Sequence, residues 1–351
     1  MDDDRVVFWP SCAVPSCHAA TIVETGSGDL LAAWFAGTRE GHPDVAIWLA
    51  RYDGAKWGQP LRVVDEPGVP LWNPVLFRDT NDVIWLFYKV APTIPAWTGA
   101  YIKSTDEGST WTAPSILPAG LLGPAKNKPV LLSNGDILCG TSAESWRSWA
   151  CWVETTSDGG KTWSRHGPIT APGDSFCPGD TNGPISASWD EEGHAIVLPQ
   201  AHRGVIQPAI WECEPGNVSL VMRSTASVGA VCMSHSEDCG RTWSAATTTD
   251  VPCPNSGLDA VRLDDGRVVL ACNPTHEGRT PLSLLVSADN GVSWPGRLDL
   301  ETEQGEYSYP SIIQATDGMV HVVYTYRRTH IVHQAFSPEI LPGVRQLSKR
   351  I

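Results

Sequence analysis

The sequence predicts an all-β fold, a six-bladed β-propeller with four antiparallel strands to a blade. Three observations carry that prediction. A phrase of the form Ser-x-Asp-x-Gly-x-Thr-Trp recurs four times. Six short turns, each followed by an apolar run, recur at steps of 54, 53, 58, 73 and 52 residues. No helical heptads and no apolar stretch of membrane-spanning length interrupt them.

The turns are Gly28-Asp29, Asn81-Asp82, Asn134-Gly135, Glu192-Gly193, Asp265-Gly266 and Asp317-Gly318. Asn-Gly and Asp-Gly between apolar runs are strong hairpin signals, and six units of about fifty residues match a ring of six four-stranded blades. The phrase occurs around Asp106, Asp158, Asp238 and Asp289, with a worn copy at Asp53. Its Ser and Asp side chains suit a self-bonded turn, its Gly a backbone angle other residues resist, and its Trp an apolar anchor. These boxes therefore read as structure rather than chemistry. In four units the box Asp follows the hairpin by 23 to 25 residues, but in the fourth the gap from Gly193 is 45. That excess predicts an insertion in the fourth blade at about 204–230. The sixth unit has no box, and the segment Val6–Trp9 is expected to supply its last strand and close the ring. The domain expectation is one propeller over residues 1–351.

Composition narrows the function. The net charge of −14 argues against nucleic acid, which needs a broad basic footprint. Ten Cys show no zinc spacing, and those inside predicted strands (Cys139, Cys151, Cys272) read as small buried apolar residues. No nucleotide fingerprint or phosphate loop appears. The expectation is an enzyme with no cofactor and no membrane span. Asn217-Val218-Ser219 is a glycosylation sequon, no signal peptide is visible, and the compartment is left open.

In an antiparallel blade the hairpins and the boxes share one rim. The opposite rim collects first-strand starts and second-strand ends. The starts are His18, Asn73, Lys126-Asn127-Lys128, Asn182, Asn255 with Asp259, and Tyr307 with Tyr309. The ends are Arg39, Glu40 and Asp44; Lys89; Glu144; His202 and Arg203; Asn273, His276 and Arg279; and Arg327 with Arg328. An acidic protein thus gathers Lys and Arg around one channel mouth, where a focused positive potential attracts an anion. A carboxylate is the natural match, because a guanidinium binds it with two parallel hydrogen bonds.

With these boxes and this rim, the chain resembles the sialidase superfamily, in particular its BNR-repeat sialidase-like proteins, over about residues 12–335. The resemblance implies removal of a terminal carboxylate-bearing sugar by three arginines, an acid/base aspartate, and a tyrosine nucleophile with a glutamate beside it. The stretch Gly37-Thr38-Arg39-Glu40-Gly41-His42-Pro43-Asp44 makes Asp44 the acid/base candidate. Tyr309, nine residues before Gly318, takes the tyrosine's place, and Arg279 an arginine's. The first arginine's place holds His18, only Arg203 fits the second, and the glutamate is absent from Thr181-Asn182-Gly183-Pro184, which leaves Glu306 or Asp259 as substitutes.

Three functions follow from that rim. In a sialidase-like exo-glycosidase, Arg279, Arg203 and nearby lysines hold an acidic oligosaccharide or glycoconjugate, Asp44 protonates the leaving oxygen, and Tyr309 attacks or stabilises the anomeric carbon. In a uronate lyase, a reaction that related propellers host, His18 or Tyr309 takes the proton beside a carboxylate while Lys89, Lys126, Asn127 and Lys128 neutralise the charge. In a non-catalytic glycan-binding propeller, Trp34, Trp72, Trp85 and Trp97 stack on sugars. Arg39, Asp259 and Arg327 complete the substrate-binding candidates, and Glu306 the catalytic ones.

Overall fold

The computed structural model describes residues 5–11, 14–145, 148–173 and 203–342, with the strand backbones Ser188–Trp189 and Ala195–Ile196. Six four-stranded antiparallel sheets form a ring, a six-bladed β-propeller. Blade 1 comprises Ser16–Glu24, Leu30–Gly37, Ala46–Tyr52 and Leu61–Val64. Blade 2 comprises Leu71–Arg78, Ile84–Val90, Thr98–Ser104 and Ser115–Ile116, and blade 3 Val130–Leu131, Ile137–Glu144, Trp149–Thr156 and Ser164–Ile169. Blade 4 is Val205–Glu214, Asn217–Ser224, Ala230–Ser236 and Thr247–Pro252, and blade 5 Asp259–Arg262, Val268–Cys272, Leu282–Ser287 and Gly296–Glu301. Blade 6 combines Tyr307–Gln314, Val320–Tyr326 and His330–Phe336 with the amino-terminal strand Val6–Phe8, which pairs through Val6 with Val332 and through Phe8 with Ile331.

The fourth hairpin is a correction. The blade 4 strands meet at Pro215-Gly216, with Glu214 opposite Asn217 and Gly216 in the left-handed region at φ 83°. Residues 205–224 are therefore the blade's first two strands, not an insertion. The extra chain lies between blades 3 and 4 and carries the small pair Ser188–Trp189 and Ala195–Ile196. Glu192-Gly193 and Asn182 lie outside the described residues. Pro-Gly is itself a turn signal, since Pro presets one central angle and Gly takes the other.

A blade cannot bury both faces alone, and six apolar clusters fill the seams between neighbours. Leu31, Phe35 and Ile47 of blade 1 meet Leu76, Leu86 and Ile102 of blade 2, for example. Trp34, Trp72 and Trp85, which a lectin would expose, are buried in this packing. The boxes brace the seams. Asp106 Oδ1 accepts from Thr110 N at 2.8 Å and from Ser104 Oγ at 2.7 Å, and Ser104 Oγ accepts from Gly108 N at 2.7 Å. The eight described Cys are all free thiols.

Backbone geometry at the channel mouth sets up the site. In blades 1, 2, 4 and 6 the innermost strand breaks register, between His18 and Thr21, Trp72 and Val75, Ile206 and Ala209, and Ser308 and Ser311. Each break holds one left-handed residue: Ala19, Asn73, Gln207 or Tyr309, with φ of 58°, 39°, 55° and 53°. Three of these are followed by Pro74, Pro208 and Pro310. A bulge re-aims a side chain, and Pro supplies no N–H to a ladder already broken there. A non-glycine residue held at such angles costs roughly 1–3 kcal/mol, a strain that concentrates at functional sites.

Candidate active site

Two of those bulges put their side chains in contact. Gln207 Nε2 donates to Tyr309 Oη at 3.2 Å, and Arg223 Nη1 donates to the same oxygen at 3.0 Å. Arg223 also donates from Nη1 to Gln207 Oε1 (3.2 Å) and from Nε to Asn255 Oδ1 (2.8 Å). The Tyr309 ring is buried, and Gly257 lies against it so closely that an added Cβ would stand 3.0 Å from the ring. The guanidinium carbons of Arg223 and Arg279 lie 5.8 and 5.9 Å from the ring centroid, and Lys126 Nζ 5.9 Å. The His18 ring stands 4.2 Å away, centroid to centroid.

His18 is buried, and neither ring nitrogen has a hydrogen-bond partner among the described residues. Burial, then the charges of Arg328, Arg279, Arg223 and Lys126, hold its pKa well below the usual histidine value. It is therefore neutral at ordinary pH. On the mouth side Glu306 bridges two arginines, with Oε1 3.0 Å from Arg279 Nη1 and 2.7 Å from Arg328 Nε, and Arg328 reaches on to Glu40. Arg223, Arg279 and Arg328 come from blades 4, 5 and 6, so closing the ring assembles the cationic cluster. Burial also pushes the Lys126 ammonium down to about 7, with Asp259 opposing and Lys128 and Arg223 adding to the shift. Its Nζ donates to Leu258 O at 2.9 Å and to Pro310 O, beside the Tyr309 bulge.

The other sequence candidates divide. Asn127 supports the site, donating from Nδ2 to Gln207 O at 2.8 Å. Lys128 and Asp259 pair at 2.9 Å, and Asp259 also accepts from Ile312 N at 2.9 Å. They pin blades together, and Lys128 lines a cavity with Glu24, Arg78 and Gln314 at the hairpin end of the axis. Lys89 is wholly buried and donates to Pro124 O at 2.8 Å; burial pushes its ammonium down to about 8 against the pull of Glu154. Arg203 braces loops through Pro172 O and Ser227 O. Arg327 turns onto Tyr326, 5.3 Å from its ring, while its neighbour Arg328 enters the site. Arg39 is exposed. Of the expected substrate-binding set, Arg203, Lys89, Asp259, Lys128 and Arg327 are thus engaged in contacts within the protein, whereas Arg223 and Arg279 stand beside Tyr309 and Arg328 pairs with Glu306. His202 lies outside the described residues.

Asp44 is held in its own loop. It accepts from Thr38 N at 3.1 and 3.2 Å and from Thr38 Oγ1 at 2.6 Å, and pairs with His42 Nδ1 at 2.7 Å. Slight burial raises its carboxyl, but the Thr38 and His42 bonds outweigh this and hold it below the usual aspartate value. Among the described residues no hydrogen bond or ion pair joins it to the Tyr309 cluster. Gln207 and Arg223 were missed in the sequence because the fourth hairpin was put at Gly193. Counted from Gly216, Gln207 stands nine residues before the turn, as Tyr309 stands before Gly318.

A family model described as a BNR repeat-like domain matches residues 28–322. A sialidase of Bacteroides fragilis is 22% identical over 251 residues, which cover 66% of this chain and 40% of that protein. The chain thus spans well under half of this curated relative. Among solved structures, a Dyadobacter fermentans protein of unknown function aligns with TM-score 0.74 at 17% identity, over 95% of this chain and 98% of its own. The NanB sialidase of Streptococcus pneumoniae aligns with TM-score 0.73 at 14% identity, over 97% and 72%. The intramolecular trans-sialidase of Ruminococcus gnavus aligns with TM-score 0.72 at 14% identity, over 97% and 98%. At such identity the structures speak for the fold, while the family model spans most of the chain. The chain belongs to the BNR repeat-like family, within the sialidase superfamily.

Proposed function

We propose that the protein is a sialidase-like exo-glycosidase that releases a terminal carboxylate-bearing sugar, sialic acid or a close analogue, from a glycan. The observation that carries this reading is the Tyr309 hydroxyl, met by two donors inside a cluster of three arginines. Arg223, Arg279 and Arg328 bind the sugar's carboxylate, as guanidinium forks do. Tyr309 Oη, polarised by Arg223 and Gln207, meets the positive charge that grows at the anomeric carbon as the glycosidic bond breaks. Among the described residues its closest partners, Arg223 and Gln207, offer no carboxylate to take the phenolic proton, so it acts by facing that charge rather than by attack. The resemblance assigns protonation of the leaving oxygen to Asp44.

A second reading, elimination from a uronic-acid glycan, is favoured by one observation. A neutral His18, without a hydrogen-bond partner among the described residues, stands where the resemblance expects an arginine, and a neutral imidazole can take a proton beside a bound carboxylate. One assay separates the two. The protein is incubated with sialosides and with uronic-acid oligosaccharides, and products are followed by mass and ultraviolet absorbance. Free sialic acid with no new absorbance is expected, and Tyr309→Phe should lower kcat/KM by roughly a hundredfold, equivalent to ~2.7 kcal/mol. An absorbing, unsaturated uronide would install the second reading. Binding without turnover of any acidic glycan would overturn both.

A further inference from the structure

Whichever way the glycosidic bond breaks, the departing oxygen needs a proton, and Asp44 is badly placed to supply one. Its hydrogen bonds favour the ionised form, and it is exposed in its own loop. An ionised carboxylate has no proton to give. A second carboxyl at the same mouth differs on each count.

We infer that Glu144, at the carboxyl-terminal end of the second strand of blade 3, is the proton donor to the leaving oxygen. This rests on the bond-cleaving reading above and gives Glu144 the proton transfer that the resemblance gives to Asp44. Glu144 occupies the strand-end position that contributes Glu40 and Arg39 just beyond blade 1 and Arg223 in blade 4. Its Oε1 is buried and, among the described residues, meets no hydrogen-bond partner, so the atom is free for a substrate oxygen. Ser142 Oγ, two residues back on the same strand face, is also buried and close enough to act on the Glu144 carboxyl, although no hydrogen bond of good geometry joins them. A buried polar atom left unsatisfied carries a desolvation penalty that a bound ligand would relieve.

The surroundings favour the protonated form. Burial pushes the Glu144 carboxyl up to about 7, against the Arg223 charge and the Ser142 hydroxyl, while Glu40 adds to the rise. Cys151, on the neighbouring strand, also lies within electrostatic reach of Glu144. Arg223 is the guanidinium that holds Tyr309 Oη, and its charge also acts on Glu144, so the two groups lie to either side of one cation. The step balances without any further reagent. Glu144 gives its proton to the glycosidic oxygen as the carbon–oxygen bond breaks. In hydrolysis, water then adds to the anomeric carbon and returns a proton to the carboxylate. The sign of the pH dependence follows: the active, protonated form is full below about pH 7 and lost above it.

The test uses two substrates of one sialic acid, a sugar-linked sialoside and a 4-methylumbelliferyl sialoside. The phenol leaves without a proton, whereas the sugar alcohol does not. Glu144→Gln should lower kcat/KM on the sugar-linked substrate by about a hundredfold or more, and on the aryl substrate by less than about tenfold. The alkaline limb near pH 7 should appear in wild type on the sugar-linked substrate and be missing on the aryl one. An unchanged unfolding midpoint shows that the isosteric variant is folded, and Glu144→Asp should recover part of the lost activity. Asp44→Asn, which loosens its loop, should slow both substrates alike. Equal losses on both substrates for Glu144→Gln, or leaving-group selectivity in Asp44→Asn instead, would overturn the inference while the proposed function stands. A wild type that cleaves neither sialoside would overturn both together.

Discussion

At the scale of single residues the decisive pair is Gln207 and Tyr309. The resemblance implies a glutamate beside the catalytic tyrosine, and the side chain 3.2 Å from Tyr309 Oη is an amide that donates. Gln207→Glu would give that proton an acceptor next to a permanent cation, because Arg223 Nη1 already lies 3.2 Å from Oε1. Hydrolysis should then quicken by about a hundredfold, the low side of what a placed general base contributes. Steady-state kinetics on the substrate that wild type cleaves decides it, and an unchanged or lower kcat shows that phenol deprotonation does not limit the reaction. This pair also marks how far the site could be read from sequence. His18, Tyr309 and Arg279, which the structure gathers together, are legible because each stands at a fixed offset from a recognisable turn or box. Arg223 and Gln207 were not, because one misplaced hairpin shifted every offset in blade 4. Arg327 and Arg328 are adjacent and chemically alike, and both take left-handed angles, of 51° and 55°. Only the backbone path tells which one enters the pocket.

At the scale of elements, the Asp boxes act as staples between blades rather than as isolated turns. The box glycine of one blade lies against the blade before it: a Cβ on Gly108 would stand 2.5 Å from Leu31 Cδ1, on Gly160 2.6 Å from Trp85 Cη2, and on Gly240 2.5 Å from Leu138 Cδ2. Two demands therefore meet at one position, a left-handed backbone and a close approach. They can be separated in the box of blade 3. Gly159 takes φ 71° with nothing within 4 Å of its added Cβ, so Gly159→Ala should cost only the backbone strain, roughly 1–2 kcal/mol. Gly160, at φ 85°, carries both, and Gly160→Ala should cost about 1–3 kcal/mol more through overpacking against Trp85. Urea unfolding midpoints of the two variants measure the difference. Equal midpoints would show that the box does not grip its neighbour. The repeat made the turn visible in the sequence, but its partner across the seam lies about 75 to 100 residues upstream and leaves no local signal.

At the scale of the whole molecule, the site exists because the ring is closed. Blade 6 supplies Glu306, Tyr309 and Arg328 around the site, and its outermost strand comes from the other end of the chain. Val6, Val7 and Phe8 are all buried, and the Phe8 ring lies 5.4 Å from that of Trp34 in blade 1. Closure is thus bonded through the ladder to His330–Phe336 and packed through the seam between blades 6 and 1. An unclosed blade would expose the edge of His330–Phe336, an invitation to pair with another chain. Phe8→Ala removes the packing but keeps the ladder, and a buried Phe→Ala change costs about 3–5 kcal/mol. The variant should therefore unfold at a clearly lower denaturant concentration than wild type. If closure is what holds Glu306, Tyr309 and Arg328 against Arg223 and Arg279, activity should vanish together with the far-ultraviolet signal, in one transition. Activity that outlasts the loss of blade 6, or a midpoint equal to that of wild type, would mean that the cationic cluster is held by blades 4 and 5 without the closing strand.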